Sequence, residues 1–82
     1  MRSHMNPPKP NLELAAAVRT RRKTLRLTQL QLSHLAGTGP VFINQLEQGK
    51  PTLRLDKLLD VLEVLGLGLV LEPTKSPLHV RP

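Results

Sequence analysis

The stretch LTQLQLSHLAGTGPVFINQLEQGK, residues 27–50, decides the fold. Two short apolar-periodic segments meet at Gly37-Thr38-Gly39-Pro40. Thr28 and Gln31 have the spacing of a capping box. In that device the threonine hydroxyl accepts from the backbone N–H three residues on, and the Gln side chain accepts from the threonine's own N–H. A helix therefore starts here. Leu32 and Leu35 give it an apolar stripe, and the small Ser33 and Ala36 let another helix approach. Gly37 ends it, because glycine takes the left-handed conformation of a helix end without steric cost. Pro40 has a preset φ and lacks an N–H that the first helical turn would leave unpaired anyway, so a second helix opens there. Ile43 and Leu46 are spaced to face a core. Val41, Asn44 and Gln48 point elsewhere, and Gly49 stops the helix. Two helices joined by so short a break follow the helix-turn-helix pattern.

On the N-terminal side, Asn11 is a good N-cap for a preceding helix, with Glu13 in its first turn. The apolar side of that helix is Leu14, Ala15, Val18 and Leu25. Arg19, Arg21, Arg22 and Lys23 crowd its C-terminal half, where the helix dipole favours positive charge. On the other side, Lys50-Pro51-Thr52 reads as a turn, with Thr52 capping a further helix. Leu55, Leu58, Leu59, Leu62 and Leu65 recur there at helical spacing as a core face, with Val61 and Val64 on another side. Gly66 is its stop. LGLVLE, residues 67–72, reads as a strand. A lone strand must find a partner for its backbone groups, and the plainest one is the same strand of a second copy. Leu67, Leu69, Val70 and Leu71 are then the dimerisation residues.

The expected fold class is all-α: a small bundle of four to five helices with a short C-terminal β-strand pairing across a homodimer. Residues 1–10 form a flexible tail whose first four residues read as a vector-derived scar, and Pro7, Pro8 and Pro10 deny the rest a helix. Residues 11–66 are the helix-turn-helix domain, 67–72 the dimerisation strand and 73–82 a second flexible tail.

Composition narrows the function. A chain of 82 residues holds one domain and buries little surface, so oligomerisation is the expected support. Cysteine is absent, which removes disulfides and thiolate metal sites. His4, His34 and His79 are far apart in sequence, so no metal site is expected. A net charge of +6 points to a polyanionic partner. The single aromatic residue, Phe42, cannot supply the stacking rings of a single-strand RNA reader. No apolar run spans a membrane and no signal-peptide core is present. A cytoplasmic, nucleoid-associated protein follows.

The order L-T-Q-x-x-L-S-x-x-A-G at Leu27–Gly37, then I-x-x-L-E-x-G-K-P at Ile43–Pro51, resembles the Xre/Cro family of bacterial and phage DNA-binding proteins. The resemblance runs from about Leu14 to Leu65 and implies a lambda-repressor-like fold that binds duplex DNA. EQGKPTLRLDKLLDVLEVLG, residues 47–66, and the segment after it are similar to HipB-like antitoxins. In that group the strand pairs across a dimer, and the protein represses its own operon and binds a HipA-like serine/threonine kinase toxin. The chain departs from the family at three sites, at one of which Ser33 replaces a common alanine. Arg26 stands where glycine is common, which strains the loop if a positive φ is needed there. Gly39-Pro40-Val41 stand where many relatives carry polar base-readers.

A helix in the major groove reads base edges with its first turns, so Thr38, Gly39, Pro40, Val41 and Asn44 are the candidate base-readers. Pro40 and Val41 can touch thymine methyl groups, and Asn44 can bond adenine at two atoms. Gln29 and the free N–H groups of its helix suit a phosphate, as its position in the family implies. Arg26, Lys50 and Arg54 suit flanking phosphates, with Thr28 and Gln48 completing the rim. The resemblance makes Arg22 and Glu47 a structural ion pair. No nucleophile–base pair, carboxylate dyad, metal cluster or phosphate loop is present, so neither an enzyme nor a cofactor is expected. The alternatives are a stand-alone Xre-type regulator and a protein-interaction adaptor that has lost DNA binding.

Overall fold

In the computed structural model, which describes residues 11–71 and Pro73, four helices account for the regular structure. They are α1 (Leu12–Thr24), α2 (Gln29–Ala36), α3 (Pro40–Glu47) and α4 (Leu55–Leu65). The expected tails and Glu72 lie outside the described residues, Pro73 excepted. Helix α3 packs on both α1 and α2, while α4 covers α2 and touches α1. One core results, made of Val18, Leu32, Ile43, Leu46, Leu58, Val61, Leu62 and Leu65, all buried. Leu14, Leu27, Ala36, Phe42, Leu53, Val64 and Leu67 pack around it. Among the described residues no helix is long and apolar enough to cross a membrane.

The capping box forms as read. Thr28 Oγ1 accepts from the Gln31 N–H at 3.0 Å, and Gln31 Oε1 accepts from the Thr28 N–H at 2.8 Å. Gly37 has φ +70°, and the Thr38 N–H reaches back to the Ser33 carbonyl at 2.9 Å. Pro40 is the first residue of α3, with Gly39 as its N-cap. The turn after α3 depends on Gly49. Its φ is +78°, and a Cβ there would lie 3.0 Å from Leu12 Cδ2.

Several placements differ from the sequence reading. Asn11 stands at the N-cap of α1, but its side chain makes no cap. Its amide donates instead to the Lys50 carbonyl at 2.6 Å, fastening the start of α1 to the turn after α3. Leu25 falls at the C-cap of α1, past the face that α3 covers, and is exposed. In α2 the inner face is Leu32 and Ser33, and Leu35 is 61% exposed. Close approach of the neighbouring helices selects the small Ser33, whose hydroxyl is satisfied by the Leu30 carbonyl at 2.6 Å. The N-cap of α4 is Arg54 rather than Thr52. Its buried face is Leu58, Val61, Leu62 and Leu65, so Val61 is core while Leu55 and Leu59 are exposed.

Beyond Gly66, which has φ +70°, residues 67–71 form no strand. Strand backbone is defined by its pairing, and a single copy offers this segment no partner. Leu69, Val70 and Leu71 are exposed. Its exit is nevertheless fixed. Arg21 Nε donates to the Leu65 carbonyl at 2.8 Å, and the Leu67 N–H bonds the Leu62 carbonyl at 2.9 Å.

Candidate nucleic-acid interface

The angle between α2 and α3 is set from below by Ile43, Leu46 and Leu32, which are fully buried. From the side, one ion pair fastens α3 to α1. Arg22 Nε donates to Glu47 Oε2 at 2.6 Å and the guanidinium NH2 donates to Oε1 at 2.9 Å. A third donor, NH1, meets the Leu27 carbonyl at 2.8 Å. The two side chains are 10% and 2% exposed. The bond to Glu47 holds the Arg22 guanidinium above its usual pKa despite burial, and the carboxylate's charge adds to this. Burial by itself would push the Glu47 carboxyl up. Hydrogen bonds from Arg22 and Gln29, with the charges of Arg22 and Arg19, more than offset this and hold it below the usual carboxylate range.

Gln29, the first residue of α2, joins this pair to the outer surface. Its Nε2 donates to Glu47 Oε1 at 3.1 Å, and its Oε1 accepts from Asn44 Nδ2 at 3.4 Å. The structure thus brings Arg22, Glu47, Gln29 and Asn44 into one hydrogen-bonded line. Asn44 lies on the exposed face of α3 with Gly39, Pro40 and Val41 beside it at the helix start. Val41 is 67% exposed. Thr38 is half-buried, and its hydroxyl donates to the Gly39 carbonyl at 2.9 Å.

The rim residues are less uniform. Thr28 spends its hydroxyl on the capping box. That hydroxyl takes the Gln31 N–H, so the N–H groups of Gln29 and Leu30 form the remaining positive pole of α2. Arg26 sits just before them, exposed, with φ +59°, the single non-glycine residue with positive φ among those described. Gln48 is exposed at the C-cap of α3. Lys50 Nζ rests on Gln45 Oε1 at 3.3 Å. Arg54 is held by Asp56 at 2.6 Å, so a phosphate would have to compete with that carboxylate. Both members of the pair are exposed, and Arg54 keeps Asp56 below the usual carboxylate range.

The sequence reading missed three participants. Asn11 and Arg21 are backbone clamps, whose targets only the fold reveals. The third is Lys57, whose ammonium lies 5.9 Å from the centre of the Phe42 ring. Together with Gln45, Lys50, Thr52, Leu53 and Arg54 these two line an open cleft of about 440 Å³ beside α3. Among the described residues no cluster of side chains suits a metal ion.

Comparison with known proteins agrees with this geometry. The family described as Helix-turn-helix matches residues 18–71. An uncharacterised HTH-type transcriptional regulator of Sinorhizobium fredii (strain NBRC 101917 / NGR234), y4mF, is 44% identical over 57 residues. Those residues cover 70% of this chain and 75% of the relative. A chain from the solved HipA-HipB-O2-O3 complex superposes with a TM-score of 0.70 at 25% identity, covering 87% of this chain and 99% of that one. A structure described as MDT Protein has the same TM-score and coverage at 24% identity, a likeness of fold alone.

Proposed function

The chain belongs to the Xre-like helix-turn-helix family, and from that membership we propose that it is a sequence-specific, duplex-DNA-binding transcriptional repressor acting as a homodimer. The observation that carries the reading is the exposed face of α3. Val41 and Asn44 are held outward on a helix that packs on α2 and is fastened to α1 by a buried ion pair. A rigid, exposed helix backed by a second helix is what entry into a major groove requires. Asn44 supplies a hydrogen-bonding amide, and Val41 and Pro40 supply apolar contact for thymine methyl groups. Arg26, Gln29, Lys50 and the N-terminus of α2 are the phosphate contacts, with Thr28, Gln48 and Arg54 at the periphery. The net charge of +6 brings the protein to DNA irrespective of sequence.

The finer reading is an antitoxin of the HipB kind. It represses its own operon from the bacterial nucleoid and binds a HipA-like serine/threonine kinase. Likeness to a chain of the HipA-HipB-O2-O3 complex over 87% of this protein supports it. Leu67, Leu69, Val70 and Leu71 then pair with the same segment of a second copy as a two-stranded sheet. The exposure of Leu69, Val70 and Leu71 in the single chain supports this, since large aliphatic side chains gain from being covered.

Footprinting on the DNA upstream of the protein's own reading frame tests the repressor. Two half-sites related by a pseudo-dyad are expected, about one helical turn or a small multiple apart. Protection of one asymmetric half-site by one subunit would refute the dimeric reading. Salt-independent or undetectable duplex binding would favour a protein-interaction adaptor, which the low polarity of Gly39-Pro40-Val41 would suit. Co-purification with a kinase-like neighbour tests the antitoxin, and its failure beside intact operator binding leaves a stand-alone regulator.

A further inference from the structure

We propose that Gln29 is a specificity-determining positioning residue: held by Glu47, it fixes which way round the Asn44 carboxamide meets a base pair. The inference rests on the reading that α3 enters the major groove.

A carboxylate only accepts hydrogen bonds. Glu47 therefore forces Gln29 to turn its NH2 inward, where Nε2 lies 3.1 Å from Oε1. The reverse orientation would set an amide oxygen against a buried carboxylate. With Nε2 inward, Gln29 Oε1 faces Asn44 and accepts from Nδ2 at 3.4 Å. Turning Asn44 over would oppose two carbonyl oxygens. The orientation imposed by Glu47 is thus passed through Gln29 to the exposed surface. Glu47 itself is held by two bonds from Arg22, so the line is anchored in the core.

Asn44 keeps one N–H and its Oδ1 for a base. Adenine offers N7 as acceptor and N6–H as donor in the major groove, which that donor and acceptor match. A fixed carboxamide accepts the pair in one order only. A carboxamide free to turn over can instead aim its NH2 at thymine O4, so it reads A·T and T·A with less difference. Gln29 therefore adds discrimination without touching the base, and this role is separate from any contact it makes to phosphate.

The test uses a duplex selected by the full chain from a randomised library, and all single base-pair variants of that duplex. The wild-type chain is expected to prefer one base pair over its inverse by about tenfold at one position per half-site. Asn44→Ala abolishes that preference. Gln29→Ala reduces it to within about threefold although Asn44 is intact, and the double variant discriminates no worse than Asn44→Ala. Gln29→Lys is the decisive companion. It still donates to Glu47 and still attracts phosphate, but it offers Asn44 no acceptor, so the preference falls while the melting temperature holds and the salt slope, with one more cation facing phosphate, becomes no shallower. If Gln29→Ala or Gln29→Lys lowers affinity equally on every duplex and keeps the preference, Gln29 is a phosphate contact only and the inference fails. It fails alone if the wild-type chain shows base preferences that Asn44→Ala leaves unchanged. If the selection enriches no duplex at all, the DNA-binding reading falls and takes this inference with it.

Discussion

Arg22 on α1 and Glu47 at the end of α3 lie 25 residues apart and meet through two hydrogen bonds, 2.6 and 2.9 Å long. Removing either partner leaves a charge in a place from which water is nearly excluded. Arg22→Ala and Glu47→Ala are each expected to lose about 3–5 kcal/mol. A paired apolar replacement, Arg22→Met with Glu47→Leu, is expected to regain most of that, because it strands no charge. Urea denaturation of the three variants measures this. A loss below about 1 kcal/mol in both single variants would reduce the pair to an ordinary surface bridge.

The same carboxyl makes stability depend on pH. Its folded pKa is depressed, so the unfolded chain binds its proton first as pH falls. The contribution is complete above the ordinary glutamate range, near about 4.3, and is lost as pH falls through the lower folded value. Urea midpoints between about pH 2 and 7 should fall in that acid window for the wild-type chain. In Glu47→Gln the same decline should be shallower. An equal decline in both would assign the acid sensitivity to other groups.

Arg26 holds a left-handed φ of +59° that costs an L-residue roughly 1 kcal/mol. Arg26→Gly is therefore expected to stabilise the fold by about that amount and to weaken DNA binding. The slope of log affinity against log salt should become shallower by about one unit per lost phosphate contact. Lys50→Ala should show the same change of slope without the gain in stability. A stabilised Arg26→Gly chain with unaltered affinity and slope would show that the side chain does not meet DNA.

Deleting the chain from Leu67 onward is expected to give a monomer by light scattering, since Leu69, Val70 and Leu71 are exposed in the single copy. A truncated chain that stays dimeric would move the interface to the exposed Leu55 and Leu59 of α4.

Local punctuation was legible in the sequence. Thr28 with Gln31, Gly37, Pro40, Gly49 and Gly66 fix helix ends through backbone chemistry that involves few distant residues. Helix phase was less legible where apolar residues are abundant. In α4 both the 55-58-59-62-65 and the 58-61-62-65 sets obey helical spacing, and only the neighbouring helices decide between them. Leucines do not outrank Val61 for burial, because position relative to α2 and α1 matters more than side-chain size. In α2 the small Ser33 goes inside and Leu35 outside for the same reason. The candidate base-readers and rim could be placed from the turn, but the line from Arg22 to Asn44 could not. Gln29 and Asn44 are 15 residues apart, and their contact exists only because the turn folds α3 back across α2.

Arg21 and Arg22 are neighbours on α1 and hold two different helices. Arg21 grips the last carbonyl of α4, where the C-terminal segment leaves, and Arg22 grips the last residue of α3. The last turn of α1 thereby couples the point where two copies would join to the helix that would read each half-site. A dimer built on such couplings works as a gauge of fixed span. One inserted base pair turns a half-site by about 35° about the duplex axis, and a pair so coupled has little play with which to follow. In such a dimer the distance between half-sites would become part of the recognised message, written in the stiffness of two adjacent side chains rather than in any base contact.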